Sequence, residues 1–167
     1  MTNYRAAAGS ALFLVVAPGV VTGLVPWWIT GWESGPTWWL PLRVAGIVLV
    51  AAGLGSLLHA FARFVLEGQG TPAPVAPTAE LVVGGLYRHV RNPMYLAVLA
   101  LVVGQALLLS RPVLLAYAAT VGLAVVAFVR TYEEPTLRRQ FGRAYDDYRA
   151  DVPGWWPRLS PRRTPPG

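Results

Sequence analysis

Apolar residues run in long blocks along this chain, and the polar residues are gathered between them. The block at 6–29 is long enough to cross a bilayer, which takes roughly 20 residues. Pro18-Gly19 within it predicts a kink, which neighbouring helices can absorb in a membrane. A second block covers 42–66, where Gly46, Gly53 and Gly55 predict close approach of another helix. Blocks at 94–109 and 112–130 are each a little short of a comfortable span, so tilt or overlap into the interface is expected. Ser110-Arg111-Pro112 breaks the chain between them, which predicts an antiparallel helical hairpin. Gly104 and Gly122 are candidate packing positions in it, and Gln105 is a candidate interhelical hydrogen bond.

Past Arg130 the pattern flips to polar. Leu137, Phe141, Tyr145 and Tyr148 follow at spacings of four, four and three, which is one face of an amphipathic helix over about 132–150. That helix is expected to end near Asp151-Val152-Pro153-Gly154, ahead of a Pro- and Arg-rich tail at 158–167. Between the second and third blocks, 68–77 (GQGTPAPVAP) reads as a linker.

Composition sharpens this picture. Hydrophobic residues make up 54% of the 167, charged residues 13%, and mean hydropathy is +0.45, against about 25% charged in soluble domains. The expected fold is therefore all-α and integral to a membrane: four transmembrane helices, the third and fourth as a hairpin, plus a C-terminal amphipathic cytoplasmic helix. All of it lies in a single domain over 1–157. The absence of cysteine excludes a disulfide scaffold, thiolate zinc and thiol catalysis, and no metal site is expected. All 14 basic residues are Arg. They do not gather on one soluble face, so no nucleic-acid partner is expected.

Four spans place twelve of the fourteen Arg on one side, with only Arg43 and Arg111 opposite. The positive-inside rule then puts both termini and the 63–93 loop in the cytoplasm, with the bacterial inner membrane as the expected location. Trp27, Trp28, Trp32, Trp38 and Trp39 fall within thirteen residues and read as an aromatic belt at the opposite interface.

Two polar stretches therefore share the cytoplasmic face. The first is 84–95, GGLYRHVRNPMY, which abuts the third apolar block; the second begins at Tyr132-Glu133-Glu134. His59, Arg63 and Glu67 recur every four residues on one helical face. That face either snorkels to the interface or looks at the first stretch.

The order of these blocks, GLYRHVRNPMY, a hairpin, then YEEPTLRRQFGRAYDDYRADVPGWWP, resembles the isoprenylcysteine carboxyl methyltransferase and phospholipid methyltransferase superfamily of integral membrane methyltransferases. The resemblance covers roughly 80–157. Its first block falls on Gly85, Tyr87, Arg91, Asn92, Pro93 and Tyr95. Its second falls on Glu133, Glu134, Leu137, Phe141, Gly142, Tyr145, Tyr148, Val152, Pro153 and Pro157. The family has His where this chain has Asn92, which can hydrogen-bond but cannot carry charge; His89 is a candidate to compensate.

The resemblance implies a membrane-embedded enzyme that uses S-adenosylmethionine as methyl donor toward a lipid-like acceptor. It implies a cofactor site of Tyr87, Arg91, Asn92, Pro93, Tyr95, Glu133, Leu137, Tyr145 and Tyr148. The chemistry is compatible. Arg91 offers a fork of donors to a carboxylate. Pro93 starts a helix whose free N–H groups face an anion. Glu133 or Glu134 suits an amino group or ribose, and Tyr95, Tyr145 and Tyr148 suit adenine or a sulfonium. Glu134 and Arg91 are the candidate catalytic residues, Glu134 as acceptor contact or base. The alternatives are an NADPH-dependent membrane reductase of the sterol-reductase type, whose tail shares part of these blocks, and a non-enzymatic protein on the same scaffold.

Overall fold

The computed structural model describes residues 16–67 and 80–161. The start of the first block, Arg5, the 68–77 linker and the last six residues lie outside the described residues. Helices and turns make up the described structure, with no strand among these residues. Helix α1 runs Val16–Thr30, α2 Leu40–Glu67, α3 Pro93–Leu108 and α4 Val113–Phe128. Two short helices follow, α5 at Glu134–Phe141 and α6 at Arg143–Asp151.

Side chains of α1 to α4 share one core. Leu57, Phe61, Ala97, Val98 and Leu101 are buried there, with Val21 and Val121 packed against them. Helices α2 and α3 come closest, and their glycines allow it. A Cβ on Gly46 would lie 2.7 Å from the Gly104 carbonyl oxygen, and one on Gly53 3.0 Å from that of Ala97. Gly55 departs from expectation. It is exposed, with nothing near its α-carbon, because two residues along a helix is a rotation of roughly 200°. Gly122 is in ordinary contact with Leu99. Gln105 does make the interhelical bond, donating from Nε2 to the Thr22 carbonyl at 2.7 Å. Tyr117 donates to the Val21 carbonyl at 2.9 Å. Both acceptors sit in a π turn at Val20–Leu24, just after Pro18-Gly19, where a widened turn needs partners from neighbouring helices.

The hairpin is present: Val102 and Ala106 of α3 pack with Leu114 and Ala118 of α4. The Trp-rich loop 31–39 docks on its turn. Gly35 N–H donates to the Leu109 carbonyl, Trp38 N–H to Ser110 Oγ, and Arg111 Nε to the Glu33 carbonyl.

The fourth block corrects one expectation. α4 does not stop at Arg130. It continues through a π turn at Val129–Glu133 into α5, giving one helix over Val113–Phe141. The single amphipathic helix expected at 132–150 is instead two, α5 and α6, broken at Gly142 with φ +52°. A left-handed residue stops a helix, and glycine adopts it without a Cβ penalty.

Two helices, Leu40–Arg63 and Val113–Phe141, are long and apolar enough to cross a membrane. Core helices of soluble proteins pass the same test when they are buried. Here only 28% and 17% of the apolar windows are buried, and Trp28, Leu123 and Trp39 are 80%, 74% and 73% exposed. α3, with 16 residues, and the described part of α1 are shorter.

Candidate active site

The stretch 84–95 is held against α2 by Gly85. Its φ is +56°, and a Cβ there would lie 2.5 Å from His59 Nε2 and 3.0 Å from Arg63 Nε. The His59–Arg63 face of α2 therefore does look at this stretch. A 3₁₀ turn, Gly85–Arg88, follows, with the Tyr87 side chain buried beside Ala60 and Val82. Tyr148 Oη donates to the Tyr87 carbonyl at 2.7 Å, which ties α6 to the turn. The chain then passes Arg91 and Asn92, and Pro93 opens α3.

The π turn at Val129–Glu133 brings the second stretch to the first. π turns inside α-helices recur at functional sites because the extra residue re-aims the side chains that follow. Tyr95 Oη donates to Glu133 Oε2 at 2.6 Å. Arg91 Nη1 donates to Glu134 Oε1 at 2.8 Å and to Tyr145 Oη at 3.2 Å. Arg149 Nη2 stands 3.5 Å from the other Glu134 oxygen. Adjacent carboxylates thus take different partners: Glu133 a phenol, Glu134 two guanidinium groups. Burial pushes the Tyr145 phenol above its ordinary range, with Glu134 adding to the rise and Arg91 opposing it. The group facing Arg91 is therefore a neutral phenol.

Two cavities meet at Arg91. One, of about 170 Å³, opens between the helices and is mostly apolar. Ala17, Val21, Leu57, Val98, Val121 and Val125 line it, with Tyr87, Arg91, Asn92, Pro93, Tyr95 and Glu133 at its polar end. The other, of about 750 Å³, is lined by Arg91, Arg130, Glu134, Arg138, Arg139 and Arg149, and by Gly154 and Trp155. Arg91 and Glu134 side chains are only 13% and 15% exposed. Arg91 Nε is buried without a hydrogen-bond partner, a donor left for something else to satisfy.

Of the residues expected from sequence, Tyr87, Arg91, Asn92, Pro93, Tyr95 and Glu133 reach the first cavity, and Arg91 and Glu134 the second. Tyr145 meets the site through its hydroxyl. Leu137 and Tyr148 line neither cavity and pack around Tyr145 and Val152. His89 turns away, its Nδ1 donating to the Arg158 carbonyl at 2.8 Å. The sequence reading missed Arg149, four residues beyond Tyr145 and so on the same helical face. It also missed Gly154 and Trp155, which come from the irregular tail.

No curated protein and no solved structure matches the chain significantly. A family model for phospholipid methyltransferase matches residues 42–144, which takes in most of α2, the first polar stretch, the hairpin, and the second stretch from Glu133-Glu134 through α5, stopping just before Tyr145. More than half of the chain is matched, so it belongs to the phospholipid methyltransferase family.

Proposed function

We propose that the protein transfers a methyl group from S-adenosylmethionine to a lipophilic or amphiphilic acceptor at the cytoplasmic interface of a membrane. α1 to α4 are its four spans, both termini are cytoplasmic, and residues 1–157 form one catalytic domain. The observation that carries the reading is the position of Arg91. It is shared by an apolar cavity and a polar one, fixed by Glu134 and Tyr145, and keeps a buried Nε unpartnered.

The residues present fit the donor. Arg91, Tyr95, Glu133 and Glu134 would hold it, and it would supply an electrophilic methyl on a sulfonium. Arg91 binds a carboxylate through donors not committed to Glu134. Glu133, oriented by the Tyr95 hydroxyl, gives the apolar cavity one acidic edge, where a cationic centre is favoured. The apolar walls exclude water and admit a hydrocarbon tail sideways between helices. Positioning and desolvation are most of what a displacement at a methyl carbon requires. If the acceptor is an amine, Glu133 is the freer carboxylate to take its proton, because Glu134, the candidate from sequence, is already paired with Arg91 and Arg149.

One observation favours a second reading. The arginine-lined cavity would also suit the phosphates of NADPH, as a reductase requires, although the family match weighs against it. Incubating native membranes with the protein and methyl-labelled S-adenosylmethionine tests the proposal. A labelled lipid is expected. Absence of any labelled product, with NADPH-dependent reduction in its place, would favour the alternative.

A further inference from the structure

The tail after α6 lies along the Arg91 stretch in a ladder of hydrogen bonds. Arg91 N–H donates to the Pro153 carbonyl at 2.9 Å, and Arg158 N–H to the His89 carbonyl at 3.0 Å. His89 Nδ1 donates to the Arg158 carbonyl at 2.8 Å. Asn92 Nδ2 donates to the Gly154 carbonyl at 3.0 Å. Of these, the Asn92 bond is the one made by a buried side chain. Gly154 itself stands against the guanidinium: a Cβ there would lie 3.1 Å from Arg91 Nη2. That nitrogen belongs to a group already fixed through Nη1 by Glu134 and Tyr145, so it has little room to yield.

We propose that residues 153–158 form a strap that sets the position of Arg91, with Asn92 as the positioning residue that pins it and Gly154 as the clearance that lets the guanidinium sit there. Asn92 works through the strap, not by holding the cofactor. Asn or His could serve here. In both side chains the Nδ atom is bonded to Cγ, so either can present an N–H at the same reach. The strap needs that donor and makes no use of an imidazole charge.

The consequence for cofactor affinity rests on the methyltransferase reading; the strap itself does not. Two measurements on the full chain separate them: amide hydrogen exchange at Arg91 and Arg158, and the Kd for S-adenosylmethionine, each with the melting temperature. Asn92→Asp removes the donor and keeps the size. It is expected to raise exchange at both amides and to weaken the cofactor by about tenfold, the worth of one hydrogen bond at a partly buried site. Asn92→His is expected to restore both. Gly154→Ala is expected to leave the amides protected while weakening the cofactor, because only the guanidinium is displaced. Asn92→Asp with unchanged exchange, or faster exchange with unchanged Kd, overturns the proposal. So does a loss of affinity that follows melting temperature alone and is not restored by His. If the unsubstituted protein binds no S-adenosylmethionine, the methyltransferase reading falls, and the exchange of Asn92→Asp against Asn92→His still decides the strap.

Discussion

Arg91 and Glu134 are 43 residues apart in sequence and 2.8 Å apart in space. Everything between them, the hairpin of α3 and α4, serves to bring them together at one end of the helices. The pair is mostly buried, so its charges are poorly screened and its geometry is fixed. Arg149 and Tyr145 complete the surround. A guanidinium held in this way is preorganised for an anion, with little side-chain entropy left to lose on binding.

Glu133 and Glu134 should therefore fail differently. Glu134→Gln removes the charge that fixes Arg91 and should cost about 1–3 kcal/mol of stability, read as a lower denaturation midpoint in detergent, together with weaker cofactor binding. Glu133→Gln keeps an acceptor for the Tyr95 hydroxyl and breaks no ion pair, so it should lower the midpoint by less than Glu134→Gln does while slowing methyl transfer. Equal effects of the two substitutions on both readouts would contradict the separate partners seen here.

Tyr95→Phe deletes the hydroxyl that orients Glu133. A hydrogen bond to a charged group contributes about 1.5–3 kcal/mol. Methyl-transfer turnover should fall by roughly 10–100-fold with the fold intact by circular dichroism. An unchanged rate would remove Tyr95 from the site.

The close approach of α2 and α3 gives a prediction about stability alone. Gly104→Val places a side chain where a Cβ already lies 2.9 Å from the Gly46 carbonyl oxygen. Overpacking of this kind costs about 1–3 kcal/mol, measured as lost thermal stability. Gly55→Val, at a position open to the surroundings, should cost far less. The two substitutions together test which glycines form the contact.

Tyr148 lies under the site and lines neither cavity. Tyr148→Phe leaves the Tyr87 carbonyl without this donor and should lower stability by about 1 kcal/mol. Cofactor affinity should change by less than threefold. A large loss of affinity at unchanged stability would return Tyr148 to the cofactor site.

The helices were legible because long unbroken apolar blocks between polar stretches favour helix, although among the described residues only two of them are long and apolar enough to cross a membrane. Gly46, Gly53, Gly104 and Gln105 were legible because small and amide residues inside an apolar run have few other uses. Gly55 misled because composition marks a glycine but not the face it occupies. The two polar blocks pointed to Arg91, Tyr95 and the Glu pair, yet the division of labour within that pair was hidden. It depends on the π turn at Val129–Glu133, and a one-residue change of register leaves no mark in a hydrophobicity pattern. The continuation of α4 into α5 was hidden for the same reason: polarity flips at Arg130 while the backbone stays helical. Asn92 looked like a weakness from its side-chain charge. Its partner, a tail carbonyl 62 residues away, could not be read from local sequence, because backbone acceptors are identical in every residue.

The central claim is that Arg91 anchors S-adenosylmethionine where the two cavities meet. Isothermal calorimetry of the purified protein with S-adenosylmethionine, repeated with Arg91→Ala, tests it most directly. Saturable binding is predicted for the unsubstituted protein, with affinity lowered by roughly 10–100-fold in the variant, the worth of a charge-assisted hydrogen bond. Binding of equal strength in both proteins, or no binding in either, would contradict it.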